Sequence, residues 1–310
     1  MAMLCSDCFR GTLRGDVVPT GAEETIYGRP TYVARPEPGV NPIGTVVIIP
    51  DAFGWTLRNT RALADAYARR VPCVVYLPDF MDGHPLPAWA LDSLEAKPAA
   101  DASIPARAWH AVSTALLYAR IVVPFFLRNR PAAALPRIRR WLRALRTEQG
   151  ADARIGAAGF CWGGLFAVLL AHDDAENLAA VSAPGGAARP ELQTPSRFVP
   201  VVDCAFAAHP SLVKVPEHIA KAARPLSVAN GDDDEWMGKN AMQTLVATVG
   251  RKNAAATAAA AGEERFEAVV YPGAAHGFAV RGDRDDPRQR ERGEQSEDQA
   301  VRWFQRWMRA

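Results

Sequence analysis

The most informative segment of this chain reads Gly159-Phe160-Cys161-Trp162-Gly163-Gly164-Leu165. The largely apolar residues 153–158 before it are typical of a buried strand, and the apolar residues 165–170 after it are typical of a buried helix. A strand, a glycine-flanked turn and a helix form a nucleophile elbow, in which a sharp bend presents one reactive side chain. Glycine suits positions 159 and 163, because a side chain there would clash with the neighbouring strand and helix. Cys161 therefore occupies the position that serine holds in the G-x-S-x-G pattern, and the unpaired amides at the start of the helix favour its thiolate.

Apolar runs alternate with helical patterns over most of the chain. This order predicts an α/β protein with a mostly parallel central sheet and helices on both faces. Strands are expected at 45–49, 73–77, 153–158, 177–181, 201–207, 225–229 and 266–271. Helices are expected at 57–70, 106–123, 137–146, 165–170 and 236–250, and over a terminal segment that carries Trp303, Phe304 and Trp307.

Several segments between these elements carry weaker patterns. Pro124 is expected to end or kink the helix that starts near residue 106. Residues 254–261 are rich in alanine and either extend the helix before them or form a loop, and residues 281–295 are dense in charge and predict a solvated loop. Residues 1–310 are predicted to form a single domain, in which residues 81–130 form a small helical cap over the pocket.

The composition is that of a globular protein without a marked charge. A chain of 310 residues with 49% hydrophobic residues can bury a large core, and a net charge of +2 predicts neither a nucleic-acid nor a membrane partner. Five scattered cysteines and a start without an apolar signal region indicate a cytoplasmic protein. The longest apolar stretch, 115–127, is interrupted by Arg120 and Pro124 and is expected to be too short to span a bilayer. We expect a monomer or a homodimer.

Four of the expected strands end in loops that carry catalytic residue types, namely Asp51, Cys161, Asp234 and His276. Ligands of open α/β sheets bind beyond the carboxyl ends of the strands, so these side chains are expected to lie close together. Nucleophile, acid and histidine follow one another in the order of the α/β-hydrolases. Cys161 would attack a carbonyl carbon and His276 would accept the thiol proton and later activate water. Asp234 would orient the imidazole.

Two backbone amides are the natural donors to the oxyanion of the tetrahedral intermediate. One belongs to Trp162, the residue after the nucleophile, and the other to Ala52, in the loop after the first clear strand. This chemistry requires no cofactor and no metal ion. Cys5 and Cys8 lack a second pair with metal-ligand spacing, so a local turn or surface thiols is the preferred interpretation of them.

Short motifs are spread over most of the chain. They are Cys5-x-x-Cys8, Pro50-Asp51-Ala52-Phe53-Gly54-Trp55 with Asn59-x-Arg61-x-Leu63-Ala64-Asp65, Pro78-Asp79-Phe80, the segment 159–164, Gly231-Asp232-Asp233-Asp234-Glu235, and Tyr271-Pro272-Gly273-x-x-His276-Gly277-Phe278. In these motifs and their order the chain resembles the dienelactone hydrolase family, in the branch common in fungi. The resemblance implies an α/β-hydrolase fold.

The resemblance also implies roles for individual residues. The family triad of cysteine, aspartate and histidine transfers to Cys161, Asp234 and His276. A carboxylate after the early strand belongs to the family mechanism and is a glutamate in the best-known members; Asp51 holds that place with a shorter side chain. Members that bind acidic lactones use an arginine just after the catalytic histidine, and Arg281 is the nearest match, displaced by one position.

Several of these residues also have purely structural interpretations. Asp234 stands in a run of three aspartates, and a turn-forming role for Asp51 is as plausible as a catalytic one. The segment His209-Pro210-Ser211 follows a strand end and either lines the pocket or forms a turn. The arginines within 137–146 alternate with an apolar face, so a solvated helix face is preferred over a nucleic-acid patch.

Cysteine at the elbow also narrows the substrate. A thiolate is a better leaving group than an alkoxide, so an intermediate formed from a simple alkyl ester would return to reactants more often than it proceeds. We therefore expect a small activated substrate, carboxylated or polyketide-like, such as an enol lactone, an aryl ester or a thioester. The candidate pocket walls are Trp55, Trp89, Trp109 and Phe278, with Arg281 as a further substrate-binding residue.

The predicted function is a cysteine hydrolase that acts through an acyl-enzyme on a small-molecule activated ester or lactone. Two alternatives stay open. The same pocket could carry out cyclisation, rearrangement or acyl transfer in secondary metabolism. The chain could also be a thiol-reactive binding or redox-sensing protein without turnover.

Overall fold

A mostly parallel sheet runs through the centre of the protein in its computed structural model, which describes residues 18–87, 89, 103–181, 197–258, 264–281 and 286–309. The strands in these ranges are β1 (Ala22–Ile26), β2 (Arg29–Ala34), β3 (Thr45–Ile49), β4 (Val74–Pro78), β5 (Ile155–Phe160), β6 (Leu178–Val181), β7 (Arg197–Pro200), β8 (Cys204–Ala208), β9 (Leu226–Asp233) and β10 (Phe266–Ala275). Eight of them form the central sheet in the order β1-β2-β4-β3-β5-β8-β9-β10, while β6 and β7 pair with each other. Neighbours from β4 to β10 run parallel, and β1 and β2 add an antiparallel edge that the sequence patterns did not predict.

The register brings the carboxyl ends of the parallel strands to one edge of the sheet. Ile49 of β3 pairs with Gly159 of β5, and Phe160 of β5 pairs with Ala208 of β8. Strands β9 and β10 continue the row in the same direction. The loops that leave this edge carry the four candidate catalytic residues, so the topology gathers them in one place.

Helices cover both faces of the sheet, as the sequence predicts. They are α1 (Arg58–Arg70), α2 (Ile104–Arg128), α3 (Pro131–Gln149), α4 (Trp162–Leu170), α5 (Glu217–Ala220), α6 (Lys239–Ala258) and α7 (Pro287–Met308). Because successive residues of a strand point to opposite faces, β3 contributes to two cores. Val46 and Ile48 pack in the core beside α1 and α7, whereas Val47 and Ile49 pack in the core beside α3 and α4.

The charged segment 281–295 does not form the predicted loop from Pro287 onward, because α7 begins there. Asp286 caps this helix by accepting a hydrogen bond from the Arg288 amide at 2.9 Å. The buried face of α7 begins with small and polar residues, so its helical period is hidden by the charges around it. The Ala-rich tract extends α6 as far as Ala258, and residues 259–261 and 282–285 lie outside the described ranges.

Two arginines of α3 correct the prediction of a solvated helix face. Arg139 and Arg146 are buried. Arg146 donates to Asp203 at 2.7 Å, and Arg139 donates to Asn177 at 2.8 Å and forms ion pairs with two carboxylates. A buried charge has to be paired, and these partners lie far away in sequence. The apolar face of α3 is buried as predicted, through Ile138, Trp141, Leu142 and Leu145.

Helix α2 runs without interruption for 25 residues, and Pro124 lies inside it rather than at its end. It is the one helix of the described ranges that is long and apolar enough to cross a membrane, yet only 11% of its most apolar window is buried. The helix is thus longer than the apolar stretch 115–127 on which the sequence prediction rested, and the prediction of no membrane partner stays a prediction. Residues 88 and 90–102 of the predicted cap lie outside the described ranges, as do Cys5 and Cys8, so the cap stays a prediction.

Candidate active site

Cys161 stands at a sharp turn between β5 and α4. Its backbone φ is +50°, a positive value that costs a non-glycine residue about 1–3 kcal/mol. The turn leaves no room for side chains beside it: a Cβ at Gly163 would lie 2.0 Å from the Ile49 carbonyl oxygen, and one at Gly159 would lie 2.3 Å from the Gly163 carbonyl oxygen. The Cys161 amide donates to the Ala208 carbonyl at 3.1 Å and ties the turn to β8. This geometry is that of the predicted nucleophile elbow.

His276 and Asp234 lie side by side in the interior. The Nδ1–H of His276 donates to Asp234 Oδ2 at 2.9 Å, and neither side chain is exposed. The other carboxylate oxygen of Asp234 accepts from the Trp236 amide at 2.8 Å, which fixes its orientation. The charge of Cys161 also acts on the His276 imidazole. The imidazole thus lies between the thiol and the carboxylate.

The electrostatics of this group favours a protonated imidazole. Burial lowers the pKa of His276, but the negative charge of Cys161 and the hydrogen bond to Asp234 outweigh burial and raise that pKa to about 10. At neutral pH the arrangement therefore favours an imidazolium beside a thiolate.

Ser211 bridges the thiol and the imidazole. Its Oγ lies 3.4 Å from Cys161 Sγ and 3.4 Å from His276 Nε2. The Ser211 amide donates to the Cys161 carbonyl at 3.0 Å, so the loop after β8 is fastened to the elbow. The sequence pointed to this residue only as the end of a strand-end motif with two equal interpretations, and the structure brings it into the site.

His209, from the same motif, does not line the pocket. It is fully buried, its φ is +38°, and neither ring nitrogen has a hydrogen-bond partner within the described residues. Its ring packs edge-on against His276 at 5.0 Å. Burial, together with the charge of His276, holds the pKa of His209 well below its ordinary value, so this ring is a neutral packing element.

Asp51 lies beside Arg281 in the interior. The guanidinium Nε lies 3.4 Å from Asp51 Oδ2, and both side chains are almost fully buried. Burial raises the pKa of Asp51 to about 6; the charge of Cys161 adds to this effect and Arg281 opposes it. Asp51 Oδ1 also accepts from the Phe53 amide at 3.0 Å. Asp51 is therefore both a turn-forming residue and a charge beside the thiol.

A small apolar pocket opens in front of Cys161. Cys161 and Ser211 are the polar side chains among its described lining residues. Ala52 and Trp162, whose amides are the predicted oxyanion-hole donors, both line it. The remaining walls are Phe53, Leu86, Phe125, Phe126, Leu212 and Trp236.

The residues predicted from the sequence as pocket walls lie elsewhere. Phe278 is packed in the core, and Trp55 stacks against an arginine side chain at 4.8 Å. Trp89 and Trp109 are exposed, at 58% and 73% of their surface. Arg281 faces Asp51 and does not line the pocket. The actual walls come from the end of α2 and from loops after several strands. These segments lie far apart in the chain, and no local sequence pattern shows that they meet.

Cys161 differs from the other described cysteines. Cys73 and Cys204 are buried in the core, and burial raises the pKa of Cys73 to about 12 and also raises the pKa of Cys204, so both are expected to be inert. Within the described ranges, no group of three or more histidine, cysteine, aspartate and glutamate side chains is placed to hold a metal ion.

The chain is similar to known proteins over almost its whole length. The sequence model of the dienelactone hydrolase family matches residues 30–308. Hydrolase pyvD of Aspergillus violaceofuscus is 24% identical over 306 residues, which cover 97% of this chain and 96% of that protein. Dienlactone hydrolase 1 of Gibberella moniliformis is 24% identical over 310 residues, which cover 99% of this chain and 94% of that protein.

A solved structure agrees with the fold. The putative dienelactone hydrolase of Klebsiella pneumoniae superimposes with a TM-score of 0.55 at 18% identity, over 92% of this chain and 97% of that one. This likeness and the family match confirm the predicted α/β-hydrolase fold. They also confirm the family that the sequence motifs resemble: the chain is an ester or lactone hydrolase and belongs to the dienelactone hydrolase family.

Proposed function

We propose that this hydrolase uses Cys161 as its nucleophile, His276 as its acid and base, and Asp234 as the group that orients the imidazole. The observation that carries the proposal is the position of His276, which donates to Asp234 at 2.9 Å and is linked to Cys161 Sγ through Ser211 Oγ, 3.4 Å from each. Three loops far apart in sequence converge to build this contact. A cysteine with only a packing role would not need a strained turn in which only glycine fits two residues before it and two residues after it.

In the first half-reaction the Cys161 sulfur adds to the substrate carbonyl carbon, and the carbonyl oxygen takes up the negative charge. The Ala52 and Trp162 amides would donate to that oxygen. When the intermediate collapses, the bond to the leaving group breaks and His276 gives its proton to the leaving atom. Acylation removes the charge of the sulfur, so the pKa of His276 falls and the transfer becomes favourable.

In the second half-reaction neutral His276 takes a proton from water as the water oxygen adds to the thioester carbon. The carbon–sulfur bond then breaks, the carboxylic acid leaves, and the imidazolium–thiolate pair is restored. Asp234 stabilises the imidazolium at both stages. Ser211 Oγ lies 3.4 Å from Cys161 Sγ and 3.4 Å from His276 Nε2, so Ser211 acts as a positioning residue that keeps the two side chains aligned.

The leaving group and the pocket together define the substrate class. The leaving group has to compete with a thiolate, which favours enol lactones, aryl esters and thioesters. The described lining residues include no charged side chain, and Arg281 is engaged with Asp51. A substrate carboxylate placed there would lose its hydration without gaining a partner. We therefore assign this chain a neutral, apolar acyl group, in place of the carboxylated one that the family resemblance suggested.

A matched substrate panel tests these assignments. It contains the phenyl ester, the thioester and the ethyl ester of one neutral acyl group, and a carboxylated analogue of the phenyl ester. We expect turnover of the first two, an intact-mass shift equal to the acyl group, and rates at least about a hundredfold lower for the ethyl and carboxylated esters. Cys161→Ala should lose both turnover and the mass shift, while the control Cys204→Ala should keep them.

Each other outcome points to a different function. A fully active Cys161→Ala enzyme would exclude the nucleophile. Conversion of a biosynthetic intermediate without uptake of water, with the esters inert, would indicate cyclisation or acyl transfer. No turnover at all, with thiol reactivity unchanged in His276→Ala, would indicate a binding or redox-sensing protein.

A further inference from the structure

Helix α2 exposes an apolar stripe from Trp109 to Leu127. Five large apolar side chains of this part of the helix are between 43% and 73% exposed. They recur every three or four residues, with Ala119 in the one gap between Leu116 and Val123, so they lie along one side of the helix. The stripe consists of Trp109, Val112, Leu116, Val123 and Leu127.

The opposite side of α2 is attached to the protein. Val122 and Phe125 are buried in the core beside α3 and α4, and Phe125 and Phe126 line the pocket of Cys161. The attachment is at the C-terminal part of the helix, where its buried residues lie. Although α2 is long enough to cross a bilayer, this attachment holds its C-terminal end on the protein.

The charge of α2 has one sign. The helix contains Arg107, Arg120 and Arg128 and no aspartate, glutamate or lysine, although the whole chain carries only +2. Arg120, Arg128 and Arg130 are exposed in or next to α2. Large apolar side chains with a tryptophan on one side, and arginines as the only charges, match the chemistry of a helix that lies in a lipid–water interface.

We propose that α2 docks the protein onto an anionic lipid surface, with the apolar stripe in the acyl boundary and the arginines on lipid phosphates. A second copy of the chain is the competing occupant, because the spacing of Trp109, Val112, Leu116, Ala119 and Val123 also fits a helix pair. Charge decides between them. A pair of α2 helices would bring arginine toward arginine with no acidic residue on either helix, whereas anionic lipid supplies the missing charge.

Docking has a consequence for the pocket, one that rests on the proposed function. The same helix presents its stripe to the lipid and its Phe125 and Phe126 to the space in front of Cys161. An apolar ester dissolved in the lipid would reach the pocket along α2. Docking itself does not depend on catalysis, and vesicle binding by the inactive Cys161→Ala protein tests it separately.

The experiment is co-sedimentation of the full chain with vesicles of phosphatidylcholine and of phosphatidylcholine with roughly 30% phosphatidylglycerol. We expect binding to the anionic vesicles that weakens with added salt. Leu116→Gln should reduce the partition coefficient by about tenfold. Arg120→Gln should reduce it by about fivefold on anionic vesicles only. Val112→Gln should also weaken binding, whereas Val246→Gln, a matched exposed valine on α6, should not.

Trp109 gives a second readout that does not depend on affinity. Lipids brominated near the head of the acyl chain should quench part of the tryptophan fluorescence, and Trp109→Phe should remove that part. Equal binding by wild type and Leu116→Gln would overturn the proposal, as would no binding to either vesicle. A dimer in solution that Leu116→Gln dissolves, without vesicle binding, would assign the stripe to a second copy instead.

Discussion

The guanidinium of Arg281 lies 3.4 Å from the carboxylate of Asp51, and both groups are buried away from the pocket. The guanidinium nitrogens donate no hydrogen bond within the described residues, so the pair is held by charge alone. The charge of Cys161 is one of the causes that raise the pKa of Asp51 to about 6, and the coupling between two charges is reciprocal. The ion pair therefore sets the electric potential at the nucleophile without touching the substrate.

Asp51→Asn should make the Cys161 thiol more reactive, because it removes a negative charge near the sulfur and leaves Arg281 uncompensated. Because the thiolate already predominates at neutral pH, we expect alkylation by iodoacetamide there to be at most about twofold faster. The difference from wild type should vanish as the pH falls below about 6, where Asp51 is itself protonated. The control is Asp79→Asn, since Asp79 accepts from an amide two residues on, as Asp51 does. Slower alkylation of Asp51→Asn would show that the turn, not the charge, dominates.

Arg281→Met should lower the free energy of unfolding. It leaves Asp51 as a buried charge without a counter-charge, which costs about 3 kcal/mol of unfolding free energy. The pKa of Asp51 is already raised, so its ionised form weakens the fold as the pH rises above the ordinary carboxyl range; the loss measured by urea unfolding should therefore be smaller in acid. The double variant Asp51→Asn, Arg281→Met should recover part of the unfolding free energy that Arg281→Met loses. The preference for neutral over carboxylated esters should stay unchanged, because Arg281 does not line the pocket.

Asp234→Asn should remove the support that keeps His276 protonated. The raised pKa of His276 means that its stabilising effect is complete below about 6.5 and is lost as the pH rises through about 10. In the variant this loss and the alkaline decline of kcat/KM should move to lower pH, and kcat should fall about 10³- to 10⁴-fold. Asp233→Asn changes the exposed neighbour in the same run and should have little effect. A large loss of kcat in Asp233→Asn with little change in Asp234→Asn would show that Asp233, and not Asp234, orients the imidazole.

Ser211→Ala should slow the reaction without preventing it. Loss of the hydroxyl removes one contact to Cys161 and one to His276, which corresponds to about a tenfold decrease in kcat with little change in KM. Thiol alkylation should slow in parallel, a change that a purely structural role would not produce. Ser296→Ala removes another buried serine hydroxyl far from the site and serves as the control. A decrease confined to KM would make Ser211 a substrate contact.

The sequence predicts most of the sheet and the strand-end loops of the site, for a physical reason. Buried parallel strands such as β3 and β5 are short uniform apolar runs, and their register fixes where the following loops lie. Strand β1 lies at the edge and is largely exposed, and β2 begins with an arginine, a proline and a threonine although its last four residues are buried. Neither strand shows a uniform apolar run, so neither was predicted. The sequence does not predict the start of α7, because charged residues surround the narrow buried face of this helix.

The pocket is less predictable than the catalytic loops. Trp55 and Phe278 lie near predicted site residues in sequence, yet Phe278 is buried in the core and Trp55 is half-buried against the core. Phe125 and Phe126 lie on a helix whose distance from Cys161 depends on how α2 packs, and no local pattern encodes that packing. Proximity along the chain therefore identifies the reacting groups better than the walls around them.

Gly163→Ala should be among the most damaging single substitutions in this chain. A Cβ at Gly163 would lie 2.0 Å from the Ile49 carbonyl oxygen, and the atoms it meets belong to backbone that cannot turn aside. Either β3 or the start of α4 has to move, so we expect a loss of about 3 kcal/mol of unfolding free energy and of measurable turnover. Gly250→Ala is the matched control, because Gly250 lies in α6 with nothing within 4 Å of its Cβ position. That variant should gain about 0.5–1 kcal/mol by thermal or urea unfolding and keep full activity. A stable, active Gly163→Ala protein would mean that the elbow does not require the close contact between α4 and β3.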